Sequence, residues 1–134
     1  MLHYETAVVP TKVEIYENMG PGTVNKITVF DAKGAEHVAW KGKDLAKPNA
    51  QGVPIALIDL ATKAKTNRIK LTIDLDANQD WNEIDAVGLI DSAGNKQWVS
   101  WAEASSTYAS GEMAAYKYRR VFELLTSPKS LRDE

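Results

Sequence analysis

The chain has no cysteine, which excludes a disulfide framework, a thiolate metal site and a cysteine nucleophile together. It does not settle the compartment, because a β-sandwich of this size holds without disulfides even outside the cell. Histidine is nearly as scarce: only His3 and His37 occur, and neither lies in a metal-like or triad-like context. No apolar stretch approaches the length of a membrane span. The start, Met1-Leu2-His3-Tyr4-Glu5, lacks the basic residues and apolar run of a signal peptide. As written the chain therefore reads as cytoplasmic, and as a piece of a longer secreted protein it reads as extracellular. Charge of one sign is also missing, and a formal net charge of −2 gives no electrostatic reason for nucleic acid or an anionic membrane as partner.

What the sequence does contain is ordinary globular material, 44% hydrophobic and 25% charged over 134 residues, enough for one core. Over its first two thirds it alternates short apolar, β-branched segments with Gly, Pro, Asn and Asp, the pattern of an all-β sandwich or barrel. Strands are expected over 2–9, 12–18, 24–30, 36–40, 53–60, 66–75, from Glu83 to Asp91, and 97–103. In the second, Val13 and Ile15 share one face and Glu14 and Tyr16 the other, so Glu17 falls at the end of the core face. Residues 41–52 read as a polar loop without regular strand, and 55–64 fits a short helix as an alternative to a strand. If 97–103 is one regular strand, Trp98 and Trp101 point to opposite faces. From Gly111 the texture changes: Ala114, Ala115, Tyr118, Val121, Phe122 and Leu125 fall at helical spacing, which predicts a C-terminal amphipathic helix. The expected organisation is thus a sandwich domain over 1–110 and a helix with a polar tail over 111–134.

The stretch Trp81-Asn82-Glu83-Ile84-Asp85-Ala86-Val87-Gly88-Leu89-Ile90-Asp91 leads from a polar loop into an apolar strand that carries two acids. Carboxylates on such a strand need partners. Either they anchor loops through backbone amides or they face a ligand or cation.

Val13-Glu14-Ile15-Tyr16-Glu17-Asn18 with Pro21-Gly22, Ile27-Thr28-Val29-Phe30-Asp31 running to Gly34 and Trp40, Thr66-Asn67-Arg68-Ile69-Lys70-Leu71, and Trp81 to Val87 stand in a telling order. From Pro10 to Asp91 the chain resembles the galactose-binding-like jelly-roll modules, of the discoidin and carbohydrate-binding kind. The resemblance implies a two-sheet antiparallel jelly-roll β-sandwich that binds without catalysis, with ligand or calcium in the loops at one end. Trp101 to Tyr108 looks like the segment that opens such modules, so the order implies a circular permutation or a module boundary within the chain.

Candidate ligand-binding residues are Trp81, Asn82, Glu83, Asp85, Glu17 and Trp40, the tryptophans offering flat faces on which sugars stack. Asp74, Asp76, Asn78 and Asp80 alternate as in the first half of a calcium loop, although Gln79 stands where such a loop needs glycine. Paired acids can serve glycoside hydrolysis, but no residue is assigned a catalytic role. The expected function is a non-catalytic carbohydrate-binding module. The alternative is a protein-interaction or assembly module that uses the sandwich and the C-terminal helix, with homodimerisation through that helix.

Overall fold

The structure, a computed structural model, describes residues 1–19, 21–74 and 83–104. Its strands are β1 (Leu2–Val8), β2 (Pro10–Met19), β3 (Val24–Phe30), β4 (Glu36–Lys41), β5 (Lys47–Pro48), β6 (Pro54–Asp59), β7 (Thr66–Ile73), β8 (Glu83–Asp91), β9 (Lys96–Trp98) and β10 (Trp101–Ala102). They form two five-stranded sheets, ordered β10-β1-β7-β3-β4 and β5-β6-β2-β8-β9. Every neighbouring pair is antiparallel.

Alternation builds the core. Val13 and Ile15 of β2 pair with Leu89 and Val87 of β8, and all four are fully buried against Ile27 and Val29 of β3 and Ile69 of β7. Each such side chain contributes roughly 1.5–3 kcal/mol on burial. The apolar faces of both sheets are thereby covered, as a sandwich requires.

One hairpin turn recurs at Asp31–Ala35, Asn49–Val53 and Asp91–Asn95, joining β3 to β4, β5 to β6 and β8 to β9. In each, the first residue's side-chain oxygen accepts the amides two and four positions on, always at 2.9 Å. The fourth residue is a glycine, at φ of 80, 80 and 83° for Gly34, Gly52 and Gly94. That left-handed conformation admits glycine at no steric cost.

Three expectations are corrected. Residues 55–64 hold β6 and no helix, because β6 pairs along β2 from Lys12–Asp59 to Tyr16–Ile55. The loop over 41–52 does contain a strand, the short β5, since the Asn49 turn folds Lys47 and Pro48 back onto β6. The segment 97–103 is two strands in different sheets. Val99 is buried between them, and the Ser100 amide and hydroxyl both donate to the His3 carbonyl, at 2.8 and 3.0 Å, turning the chain onto β1. Trp98 therefore lies on the β2 sheet beside Tyr16, their ring centroids 5.7 Å apart. Trp101 lies at the edge of the other sheet, its ring 4.4 Å from that of His3. The helix expected from Gly111 lies outside the described residues.

Candidate functional site

Strand directions gather 21–23, 42–46 and Asp74 at one end of the sandwich. The loops there are tied together by the backbone: the Asp74 amide donates to the Thr23 carbonyl at 2.7 Å and the Gly42 amide to the Asn25 carbonyl at 3.0 Å.

Beneath these loops lie three buried acids. Glu17 follows Val13 and Ile15 on the inward face by the period of two and is only 1% exposed. Asp85 precedes Val87 and Leu89 on the inward face of β8 in the same way and is 5% exposed. A shift of register between Tyr16 and Glu17 sets Glu17 opposite Ile84 and Met19 opposite Glu83. Glu17 and Asp85 are thus neighbours at one end of the core. The third acid is Asp44, carried inward by the loop after β4 and 3% exposed.

Glu17 and Asp44 face each other. The Gly22 amide donates to Glu17 Oε1 at 3.3 Å. Glu17 Oε2 and both oxygens of Asp44 accept no N–H or hydroxyl with hydrogen-bond geometry. The amides of Ala46 and Val24 beside Asp44, and that of Thr23 beside Glu17, favour the charged forms. Burial, then the adjoining Asp44 carboxyl, pushes Glu17 up to about 8. Burial also raises Asp44, against the lowering influence of Glu17 and the amides of Ala46 and Val24. At neutral pH Glu17 therefore keeps its proton beside Asp44.

Gly22 is required where it stands. Its φ is +85°, and a Cβ there would lie 3.3 Å from the Asp44 carbonyl oxygen. The turn and the Asp44 loop thus approach through bare backbone.

Of the residues singled out in the sequence, Glu17 and Asp85 are brought together in the interior, and Glu83 is half-buried at the start of β8. Trp40 is half-buried against the core at the edge strand β4, with its indole 3.1 Å from where a Cβ on Gly42 would sit. Asp74 closes β7, half-buried. Trp81, Asn82, Asp76, Asn78 and Asp80 lie outside the described residues. Among the described residues no three His, Cys, Asp or Glu side chains converge as metal ligands.

Sequence reasoning missed Asp44. Its one signal is that it is the only acid between Glu36 and Asp59, set in the lysine-rich Lys41-Gly42-Lys43 loop. A depression elsewhere is lined by Asp31, Glu36, His37, Val38 and 61–64. It is shallow and open, and its carboxylates are spent locally: Asp31 on its own turn and on His37 at 2.9 Å, Glu36 on Lys70 at 2.7 Å.

The outer face of the β2 sheet forms a second cluster. The Lys96 ammonium stands 4.7 Å over the Trp98 ring and 3.1 Å from Glu14 Oε2, and the Tyr16 hydroxyl donates to Glu14 Oε1 at 2.7 Å. Gly88 forms the floor, where a Cβ would come within 2.8 Å of Lys96 Cδ.

The fold and this end of it define a two-sheet antiparallel β-sandwich. Compared with family models, with curated proteins and with solved structures, the chain matches none. No helix among the described residues is long and apolar enough to cross a membrane.

Proposed function

We propose that the chain is a non-catalytic binding module that takes carbohydrate at the loop end of the sandwich. The observation that carries this reading is the sealed Glu17–Asp44 pair. Carboxyls buried to this degree cannot exchange protons with a substrate held in solvent. They can fix the loops above them, and pre-ordered loops bind with less loss of conformational freedom. The segments that resemble galactose-binding-like modules support carbohydrate as the ligand class, and Glu83 opens β8 at this end. The test is a glycan array with the full chain, followed by isotherms and thermal melts of Trp81→Ala. Loss of sugar binding with an unchanged melting midpoint supports the reading. An array without a single hit, or equal loss of binding and stability, overturns it.

A second reading has its own observation. Leu57 is 59% exposed on the outer face of the β2 sheet, where Ile55, Tyr16, Ile90 and Trp98 are half-buried. An apolar face of this kind suits a protein partner. Sedimentation of the full chain and of Leu57→Glu tests it: concentration-dependent association, lost in the variant, favours assembly over sugar binding.

A further inference from the structure

We infer that Lys26 and Lys41 are the anion-selecting part of a glycan site, and that the ligand is an acidic glycan whose carboxylate or sulfate sits between the two ammonium groups. This rests on the carbohydrate reading and adds to it the class of sugar and the residues that choose it.

Register and alternation set the two lysines side by side. β3 and β4 pair so that Lys26 stands directly opposite Lys41 and, one step on, Ile27 opposite Trp40. Ile27 is fully buried and Trp40 packs against the core. That pair points inward, so the lysines, one residue away on each strand, point outward. Lys41 is exposed and Lys26 half-buried. Directly opposite residues have Cβ atoms roughly 4.5–5.5 Å apart, and like charges so placed destabilise a sheet. Among the described residues no carboxylate lies within ion-pair distance of either lysine.

The rest of this sheet face leaves the repulsion standing. Along β7, β3 and β4 the outward side chains include four cations, Arg68, Lys70, Lys26 and Lys41, and one carboxylate, Glu36. Lys70 takes that carboxylate at 2.7 Å, and Arg68 stands over the Phe30 ring, 4.3 Å from its centroid. On its other side Lys26 faces Thr72, which adds a hydroxyl to the row. A formal charge of −2 over the whole chain conceals this local excess of positive charge.

An anionic group between the two ammoniums converts the repulsion into a pair of charge-assisted hydrogen bonds, about twice as strong as neutral ones. Lysine suits a carboxylate or a sulfate equally, because each ammonium is a point charge on a flexible stem and imposes no fixed fork. The position favours a sugar as the bearer of that group. β4 ends at Lys41 and β3 begins at Val24, so the pair lies on the outer sheet face immediately beside the loop end, within reach of a second residue of a glycan held there. With Lys70 engaged by Glu36, two free ammoniums and a hydroxyl match one anionic group, whereas the regular phosphates of a nucleic acid call for a longer run of cations.

The test is calorimetric titration of the full chain with an oligogalacturonate, a sulfated galactan fragment, a neutral galactan fragment of the same length and a single-stranded oligonucleotide of matched charge, at low and high salt. At least one acidic glycan is expected to bind, more weakly as salt rises, with the neutral fragment and the oligonucleotide bound at least about tenfold less tightly. Lys26→Gln and Lys41→Gln should each weaken that binding about tenfold, the worth of one charge-assisted hydrogen bond. Lys12→Gln, on the other sheet, should leave it unchanged. Lys41→Glu, which turns the repelling pair into an attracting one, should abolish binding and raise the melting midpoint. A lower midpoint in Lys26→Gln or Lys41→Gln would show the lysines to be neutralised within the chain and overturns the inference. Unchanged acidic-glycan affinity in those variants overturns it as well, and so does equal affinity for the oligonucleotide. Binding of the neutral fragment alone overturns it and leaves the carbohydrate reading standing, whereas no binding of any glycan overturns both.

Discussion

Glu17 on β2 and Asp44 in the loop after β4 meet beneath the loop end through carboxyls that burial keeps from ionising together. Folded Glu17 keeps its proton up to about 8, whereas an unfolded glutamate gives it up near 4.5. Between those values the folded state holds more protons than the unfolded one, so stability falls as pH rises through the window. Asp31 and Asp91, lowered chiefly by His37 and by the Asn95 amide, work in the other direction on the acid side, below the ordinary value of 3.8. The melting midpoint is therefore expected to peak just above the ordinary carboxylate range and to decline towards pH 8. Glu17→Gln should flatten that decline. A midpoint that climbs steadily from acid to pH 8 in the unaltered chain would show a pair that ionises freely.

Gly52 and Gly22 separate two costs that often occur together. Both have positive φ, but a Cβ on Gly52 would meet nothing within 4 Å, whereas one on Gly22 would meet the Asp44 carbonyl at 3.3 Å. Gly52→Ala should cost only the left-handed backbone penalty, about 1–2 kcal/mol. Gly22→Ala should cost more. Equal denaturation midpoints for the two variants would mean that the Asp44 loop yields freely.

Asn49 accepts both the Gln51 and Val53 amides at 2.9 Å. Asn49→Ala removes both bonds, and a loss of roughly 1–2 kcal/mol is expected. Asn49→Asp should restore the turn, because Asp31 and Asp91 already build it with a carboxylate. Chemical denaturation of the three proteins checks this, and an aspartate variant no better than alanine would count against the equivalence of the turns.

The apolar spacing of Tyr118, Val121, Phe122 and Leu125 is too extensive to leave in water at roughly 1.5–3 kcal/mol for each side chain buried. Ending the chain before Gly111 is expected to cause aggregation, a lower melting midpoint or loss of an oligomer. A shortened protein that stays soluble, melts at the same temperature and keeps its sedimentation state would show the stretch to be dispensable.

Much of the sandwich could be read from alternation alone. Val13, Ile15 and Glu17 announce an inward face with an acid at its end, and Val24–Phe30 is a strand from first residue to last as expected. What could not be read depends on contacts distant in sequence. Lys47 and Pro48 have no strand-like pattern and become a strand by pairing to β6. The break at Val99 and Ser100 is imposed by the His3 carbonyl, which nothing near Ser100 in the sequence reveals. The same division runs through the candidate site. Glu17 and Asp85 stand out as acids on apolar faces, whereas Asp44 looks like one more polar residue in a lysine-rich loop until the fold carries it inward.

The three matching turns also bear on the order in which the chain folds. Each closes a hairpin from its own five residues, and closing such a short loop loses little chain entropy. The β3–β4, β5–β6 and β8–β9 hairpins are therefore expected to form early. β1 must wait to pair with β7 and β10, partners brought to it only after most of the chain has collapsed. In pulsed hydrogen exchange the amides of the three turns should gain protection before those of β1. A mutation at Asn49 or Asp91 would then slow folding, whereas one at the β1 edge would mainly hasten unfolding.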